Sequence, residues 1–142
     1  MPTVQHAIDV AATPDECWRI FSDLGTWTDW FPMLRAVSGE LRHRGQLKLS
    51  FAAGPATLPV KVTIEEYSPG ERIRWLGGAL GVRGDHSYLF SVNNPGLTRV
   101  TSRECFSGLG ARLIAGPVFA KLDGEVHRSM ERFKALVEAK GA

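Results

Sequence analysis

Cysteine is scarce in this sequence: Cys17 and Cys105 are its two thiols, far apart and outside any C-x-x-C. That excludes a disulfide scaffold, a dithiol redox pair and a zinc knuckle, and leaves two reduced thiols serving as small apolar residues. Net charge is scarce too. Seventeen basic and 15 acidic residues leave +2, too little for a dedicated nucleic-acid or anionic-membrane binder. Long apolar runs are missing. The uncharged stretch 113–120 is broken by Gly116 and Pro117, far short of the roughly 20 residues a membrane span needs. The opening MPTVQHAIDV lacks the basic and apolar regions of a signal peptide, so a cytoplasmic protein is expected. His6, His43, His86 and His127 show no H-E-x-x-H or comparable spacing, so neither a metal nor a cofactor is expected.

What remains is ordinary globular material. With 44% apolar and 23% charged residues, the 142 residues predict one domain over 1–142. Such a chain can bury roughly 68% of its unfolded surface without staples. No repeat, low-complexity tract or linker divides it.

Val4, His6, Ile8 and Val10 alternate with Thr3, Gln5, Ala7 and Asp9, predicting a first strand. Thr13, Pro14 and Glu16 then form a capping box with proline at the first helical position. Cys17, Ile20, Phe21 and Leu24 share one helical face, with Gly25 as the stop. Trp27, Trp30 and Phe31 follow, closed by Pro32, an aromatic group read first as a core anchor. From residue 36 to about 107 the pattern alternates, as in Leu58, Val60, Val62 and Ile64, with turns at Ser68-Pro69-Gly70 and Asn93-Asn94-Pro95-Gly96. One-sided alternation predicts an antiparallel sheet covered on a single face. From 118 to 137, Phe119, Leu122, Val126, Met130, Phe133 and Val137 form a helical stripe to cover it. The predicted class is α+β, in the order β-α-α-β6-α, with a curved antiparallel sheet wrapped around a long C-terminal helix. Glycines at 77, 78, 81 and 84 permit bends in that sheet, in a segment read as a loop.

Several of these segments carry a resemblance. Ile8 to Trp18, Asp23 with Trp30-Phe31-Pro32, Gly84-Asp85-His86-Ser87-Tyr88, Thr98-Arg99-Val100-Thr101 and Glu104-Cys105-Phe106-Ser107-Gly108 together resemble the START-like, helix-grip superfamily (SRPBCC), in its polyketide cyclase/dehydratase-like branch. The resemblance spans essentially the whole chain. It implies a cavity between sheet and C-terminal helix that holds a hydrophobic or amphipathic small molecule. From the residues alone, one helix cannot fill a strongly bent sheet, so either large side chains or a ligand must.

Register sharpens the reading. Tyr88, Phe90, Val92, Val100 and Phe106 are all even-numbered. If one face is covered, paired numbers on the last two strands sum to an even value, and the 93–96 turn makes that sum 190. His86 then opposes Glu104, Tyr88 opposes Ser102 and Phe90 opposes Val100. A buried carboxylate calls for a partner, and a charged neighbour is expected to raise the His86 pKa. The pair is a satisfied polar contact, a handle for a ligand's polar atoms, or an acid/base couple.

Other signals fall away. Gly108-Leu109-Gly110 lacks the third glycine of a dinucleotide loop, and Ser107 lacks a G-x-S-x-G elbow. Arg42, His43, Arg44 and Lys48 read as a solvated basic hairpin. The first hypothesis is binding of a hydrophobic small molecule. Trp75, Tyr88, Phe90 and Phe106 on the sheet and Leu122, Val126 and Met130 on the helix would line the site, and His86, Ser102 and Glu104 would orient its polar atoms. The second is a polyketide cyclase/dehydratase-like enzyme with His86 and Glu104 as acid and base. A third is a folding or assembly partner whose groove receives protein. Oligomeric state and ligand identity are not written in the sequence.

Overall fold

The computed structural model of the protein describes residues 1–141. Strand β1 (Thr3–Val10) leads into helix α1 (Pro14–Phe21) and a short helix α2 (Trp27–Trp30). Six strands follow: β2 (Leu34–Gly39), β3 (Gln46–Ala53), β4 (Ala56–Ser68), β5 (Arg72–Ala79), β6 (Val82–Asn94) and β7 (Leu97–Ser107). Helix α3 (Gly116–Gly141) closes the chain. One antiparallel sheet runs in the order β1-β7-β6-β5-β4-β3-β2, curled around α3, so the predicted α+β architecture and element order are present.

The capping box forms as expected. Thr13 Oγ1 accepts from the Glu16 N–H at 3.2 Å, and Glu16 Oε1 accepts from the Thr13 N–H at 3.1 Å. Helix α1 ends at Phe21, short of the expected stop at Gly25. The reason is local: Asp23 Oδ1 accepts from the Gly25 N–H and starts a separate 3-10 turn, Leu24–Thr26. That turn redirects the chain into α2. Trp27 Nε1 donates to the Phe21 carbonyl at 2.6 Å and Trp30 Nε1 to Thr26 Oγ1 at 3.3 Å, so both indoles are buried with their polar atoms satisfied.

The β6–β7 register has the expected sum. His86 pairs with Glu104, Tyr88 with Ser102 and Phe90 with Val100, and the pairing holds from Arg83↔Ser107 to Val92↔Thr98 before a bulge at Val92/Asn94. Further register shifts at Leu34/Ala36 and Ile64/Glu66 help the sheet to curve. The 77–84 segment is hairpin rather than loop: β5 and β6 pair through Ala79↔Val82, and the turn is Leu80–Gly81. Its glycines serve close backbone approach. A Cβ on Gly77 would lie 2.1 Å from the Lys61 carbonyl oxygen, and one on Gly78 would lie 1.9 Å from that of Val82.

Helix α3 begins two residues before the expected start and buries Val126, Met130, Phe133 and Val137. Its C-terminal half is clamped to the end of β1. Lys134 Nζ donates to the Asp9 carbonyl at 2.7 Å and pairs with Glu138, whose Oε2 accepts from the Ala11 N–H at 2.8 Å. Buried apolar residues fall into two groups. The larger one is aromatic, with Trp18, Phe21, Trp27, Trp30, Tyr88, Phe90 and Phe133. The smaller unites Val4, Phe106, Ala111 and Val126 with half-buried Val82, Ile114, Phe119 and Leu122. Among the described residues no helix is long and apolar enough to cross a membrane.

Candidate functional site

Between the two apolar groups lies a cavity of about 350 Å³, walled by both. The sheet supplies Trp75, His86, Tyr88, Glu104 and Phe106, and α3 supplies Leu122 and Val126. These seven are residues that the sequence singled out. Three others stand outside the wall. Phe90 packs at the closed end, edge-on to Trp18 (5.4 Å) and Phe21 (5.3 Å) beneath α1. Ser102 sits behind the wall, where its hydroxyl hydrogen-bonds with His86 Nε2 at 2.8 Å. Met130 is part of the larger core group.

The sequence reading missed the other half of the enclosure. Trp27, Trp30, Phe31, Met33 and Leu34 form one side, and Leu49, Phe51, Val60 and Val62 on β3 and β4 continue it. Alternation put Leu49 and Val62 on the covered face, but nothing local said that α2 would lie against the same space. The tryptophan pair is therefore both core anchor and cavity wall.

The polar centre is the cross-strand pair. The His86 ring is buried, stacked on Tyr88 (centroids 4.6 Å apart) and close to Trp75 (5.1 Å). Its Nδ1 lies 3.7 Å from Glu104 Oε1, beyond hydrogen-bond range. Burial pushes the His86 pKa down to about 3, outweighing the nearby Asp85 charge that acts the other way. The expected upward shift is thus reversed, because loss of hydration acts on the imidazolium more strongly than the neighbouring carboxylates do. Burial also raises the Glu104 carboxyl to about 7, with the Asp85 charge adding to it.

Glu104 reaches this position because residue 84 has no side chain. A Cβ there would stand 2.8 Å from Glu104 Oε2. The Glu104 side chain keeps 21% of its surface open while lining the cavity. Tyr88 contributes its ring to the same wall, and its hydroxyl is buried without a hydrogen-bond partner. Burial raises the Tyr88 pKa, so the phenol stays protonated. The arrangement is a greasy chamber with a neutral imidazole, a carboxyl that exchanges its proton near pH 7, and a phenol. It can donate hydrogen bonds to an oxygen-bearing group, and it can give or take a proton.

No group of three or more His, Cys, Asp or Glu among the described residues is placed to hold a metal ion. The basic hairpin is partly neutralised by ion pairs, Arg42 with Glu40 at 2.6 Å and Arg44 with Glu65 at 2.7 Å.

No curated protein matches the sequence. Solved structures of the same fold do. The Zhui aromatase/cyclase from Streptomyces sp. R1128 is 14% identical, with a TM-score of 0.80 over 99% of this chain and 95% of its own. A START superfamily protein from Mycobacterium smegmatis is 17% identical, with a TM-score of 0.77 over 96% and 97% of the two chains. A hypothetical protein from Helicobacter pylori is 15% identical, with a TM-score of 0.82 over 95% of this chain and 87% of that one. At such identities the likeness speaks for the fold, a curled sheet gripping a helix. The sequence itself carries the rest of the assignment, since a family model matches residues 1–138: the chain belongs to the polyketide cyclase / dehydrase and lipid transport family.

Proposed function

We propose that the protein binds a compact hydrophobic molecule that carries one uncharged oxygen-bearing pole. The observation behind this is the cavity itself: about 350 Å³, walled by aromatic and aliphatic side chains, with its polar groups gathered at His86, Tyr88 and Glu104. That volume lies near the lower end of the roughly 300–1,000 Å³ range of small-molecule sites, so one fused-ring or short-chain molecule fits better than a two-chain lipid. The apolar walls supply affinity through area removed from water, and the polar end sets orientation. A phosphate or carboxylate head is disfavoured there, because the pole offers no cation and Glu104 becomes anionic above pH 7.

Native mass spectrometry on gently purified protein, followed by organic extraction, tests the reading. A discrete adduct of a few hundred daltons that is lost in a cavity-filling variant supports it. A clean apo mass, together with no binding of neutral polycyclic phenols or ketones in a screen, removes it.

A second reading is favoured by one feature, the Glu104 pKa near 7. A carboxyl so placed acts as a general acid or base at neutral pH, with His86 beside it, as a cyclase or dehydratase acting on a polyketide-like substrate would require. Under this reading His86→Ala or Glu104→Gln abolishes turnover while binding survives. Full turnover by either variant on a confirmed substrate would refute the assigned roles.

A further inference from the structure

One end of the molecule leaves large apolar side chains in solvent. Leu80, in the turn between β5 and β6, is 82% exposed. Leu109 and Leu113 on the 3-10 turn after β7 are 87% and 71% exposed, and Val118 in the first turn of α3 is 52% exposed. The Gly110 N–H donates to the Gly81 carbonyl at 2.9 Å and ties the hairpin tip to the 3-10 turn, so these residues share one end. That end is the cavity's rim: Leu80 and Leu113 contribute to its wall. Single exposed leucines are ordinary, whereas two at a cavity rim, with Leu109 on the turn tied to it and Val118 where α3 begins just beyond, are not. Leu80 is also held at φ +54°, a conformation unfavourable for leucine and easy for asparagine or glycine, so the turn favours other residues at this position.

The +2 of the whole chain argues against a membrane binder, but that average hides a local asymmetry, since charge at this end has one sign. Residues 76–84 and 105–122 contain Arg83, Arg112 and Lys121 and no acidic residue. All three are exposed, and none has an ion-pair partner among the described residues, unlike Arg44, Arg74 and Arg99. Of the carboxylates near this end, Glu65 pairs with Arg44, Asp85 with Arg74, Asp123 with His6 and Glu125 with Arg128, while Glu104 faces into the cavity. A second copy of the chain would meet this basic rim with the same sign of charge. Acidic headgroups over hydrocarbon match both of its properties.

From this juxtaposition we infer that the rim docks on an anionic lipid surface, with Leu80, Leu109, Leu113 and Val118 entering the interface, Arg83, Arg112 and Lys121 meeting the headgroups, and the cavity mouth facing the bilayer. The inference goes beyond the cavity reading and is measured without any small ligand, so either can fail alone.

The test is co-sedimentation of the full chain with vesicles of phosphatidylcholine containing about one-third phosphatidylglycerol, against pure phosphatidylcholine, across ionic strength. Binding to the anionic vesicles is expected, weakening as salt screens the charges. Arg112→Ala and Lys121→Ala should each weaken it about fivefold, and together about twentyfold. Leu80→Asn with Leu109→Ser should weaken it about tenfold or more. Asparagine tolerates the turn geometry, and melting curves confirm that each variant is folded. Absence of binding at low salt overturns the inference, as does binding that all four substitutions leave unchanged. If sedimentation velocity shows a dimer that the two leucine substitutions dissociate, the rim is a self-association surface and the lipid assignment is wrong.

Discussion

His86 and Glu104 occupy directly paired positions on β6 and β7, yet their nearest side-chain atoms remain 3.7 Å apart. They are neighbours without being a formed salt bridge, and burial drives both toward their uncharged forms. Their effects on stability therefore oppose one another across pH. Glu104 is raised from 4.5 to about 7, so as pH climbs through that window the unfolded chain gives up its proton first and stability falls. His86 is lowered from 6.5 to about 3, so its contribution is complete above 6.5 and is lost as pH drops toward 3. Between about 4.5 and 6.5 the two slopes cancel.

Glu104→Gln should isolate the second slope. The variant is expected to match the native protein near pH 4 and to exceed it by up to about 3 kcal/mol at pH 8. Thermal melts at both pH values check this. A difference in melting temperature that does not grow with pH would show that Glu104 ionises as freely in the fold as out of it.

Leu122→Trp places an indole where α3 meets the cavity. Because Leu122 is only half-buried and borders free space, the change should cost little stability, under about 1 kcal/mol. Occupancy by any co-purifying molecule should disappear from native mass spectra. Retained occupancy would place the ligand elsewhere.

Phe133→Ala removes a buried ring on which Phe21 (6.2 Å) and Trp30 (5.3 Å) meet edge-on. A loss of about 3–5 kcal/mol is expected from urea unfolding, since the space is too closely framed to collapse. Thr13→Ala should cost less, about 1 kcal/mol, through loss of the cap on α1.

Gly78→Ala forces a methyl against the Val82 carbonyl oxygen within the β5–β6 hairpin. The contact is backbone to backbone and cannot be relieved by a rotamer change. Destabilisation of about 1–3 kcal/mol should accompany faster amide exchange from 77 to 84. Unaltered exchange there would mean that the hairpin gives way easily.

The face of each strand was legible because side chains alternate with period two. Parity together with the 93–96 turn set the β6–β7 register and placed His86 against Glu104. Depth along a face was not legible: Phe90 shares the face of Tyr88 but sits at the closed end under α1, and Ser102 sits behind His86. Nor was the early stop of α1, since Leu24 continues the apolar rhythm while the Asp23 side chain captures the Gly25 N–H. The direction of the His86 shift was misjudged from its neighbour, because hydration lost in three dimensions outweighs a charge read from pairing. The wall built by Trp27, Trp30, Leu49 and Val62 depended on where α2 lands, a matter of tertiary packing.

The first strand lies beside the last, with Thr3 opposite Cys105 at a separation of 102 positions. Every other strand pairing joins neighbours through a short connection. Closing a loop of about 100 residues rather than about four costs on the order of 3 kcal/mol more in chain entropy. During synthesis β1 must wait, unpaired, until β7 has emerged. By that measure the hairpins β3 to β7 are the natural place for folding to begin, and the β1–β7 pairing is the costliest to close first.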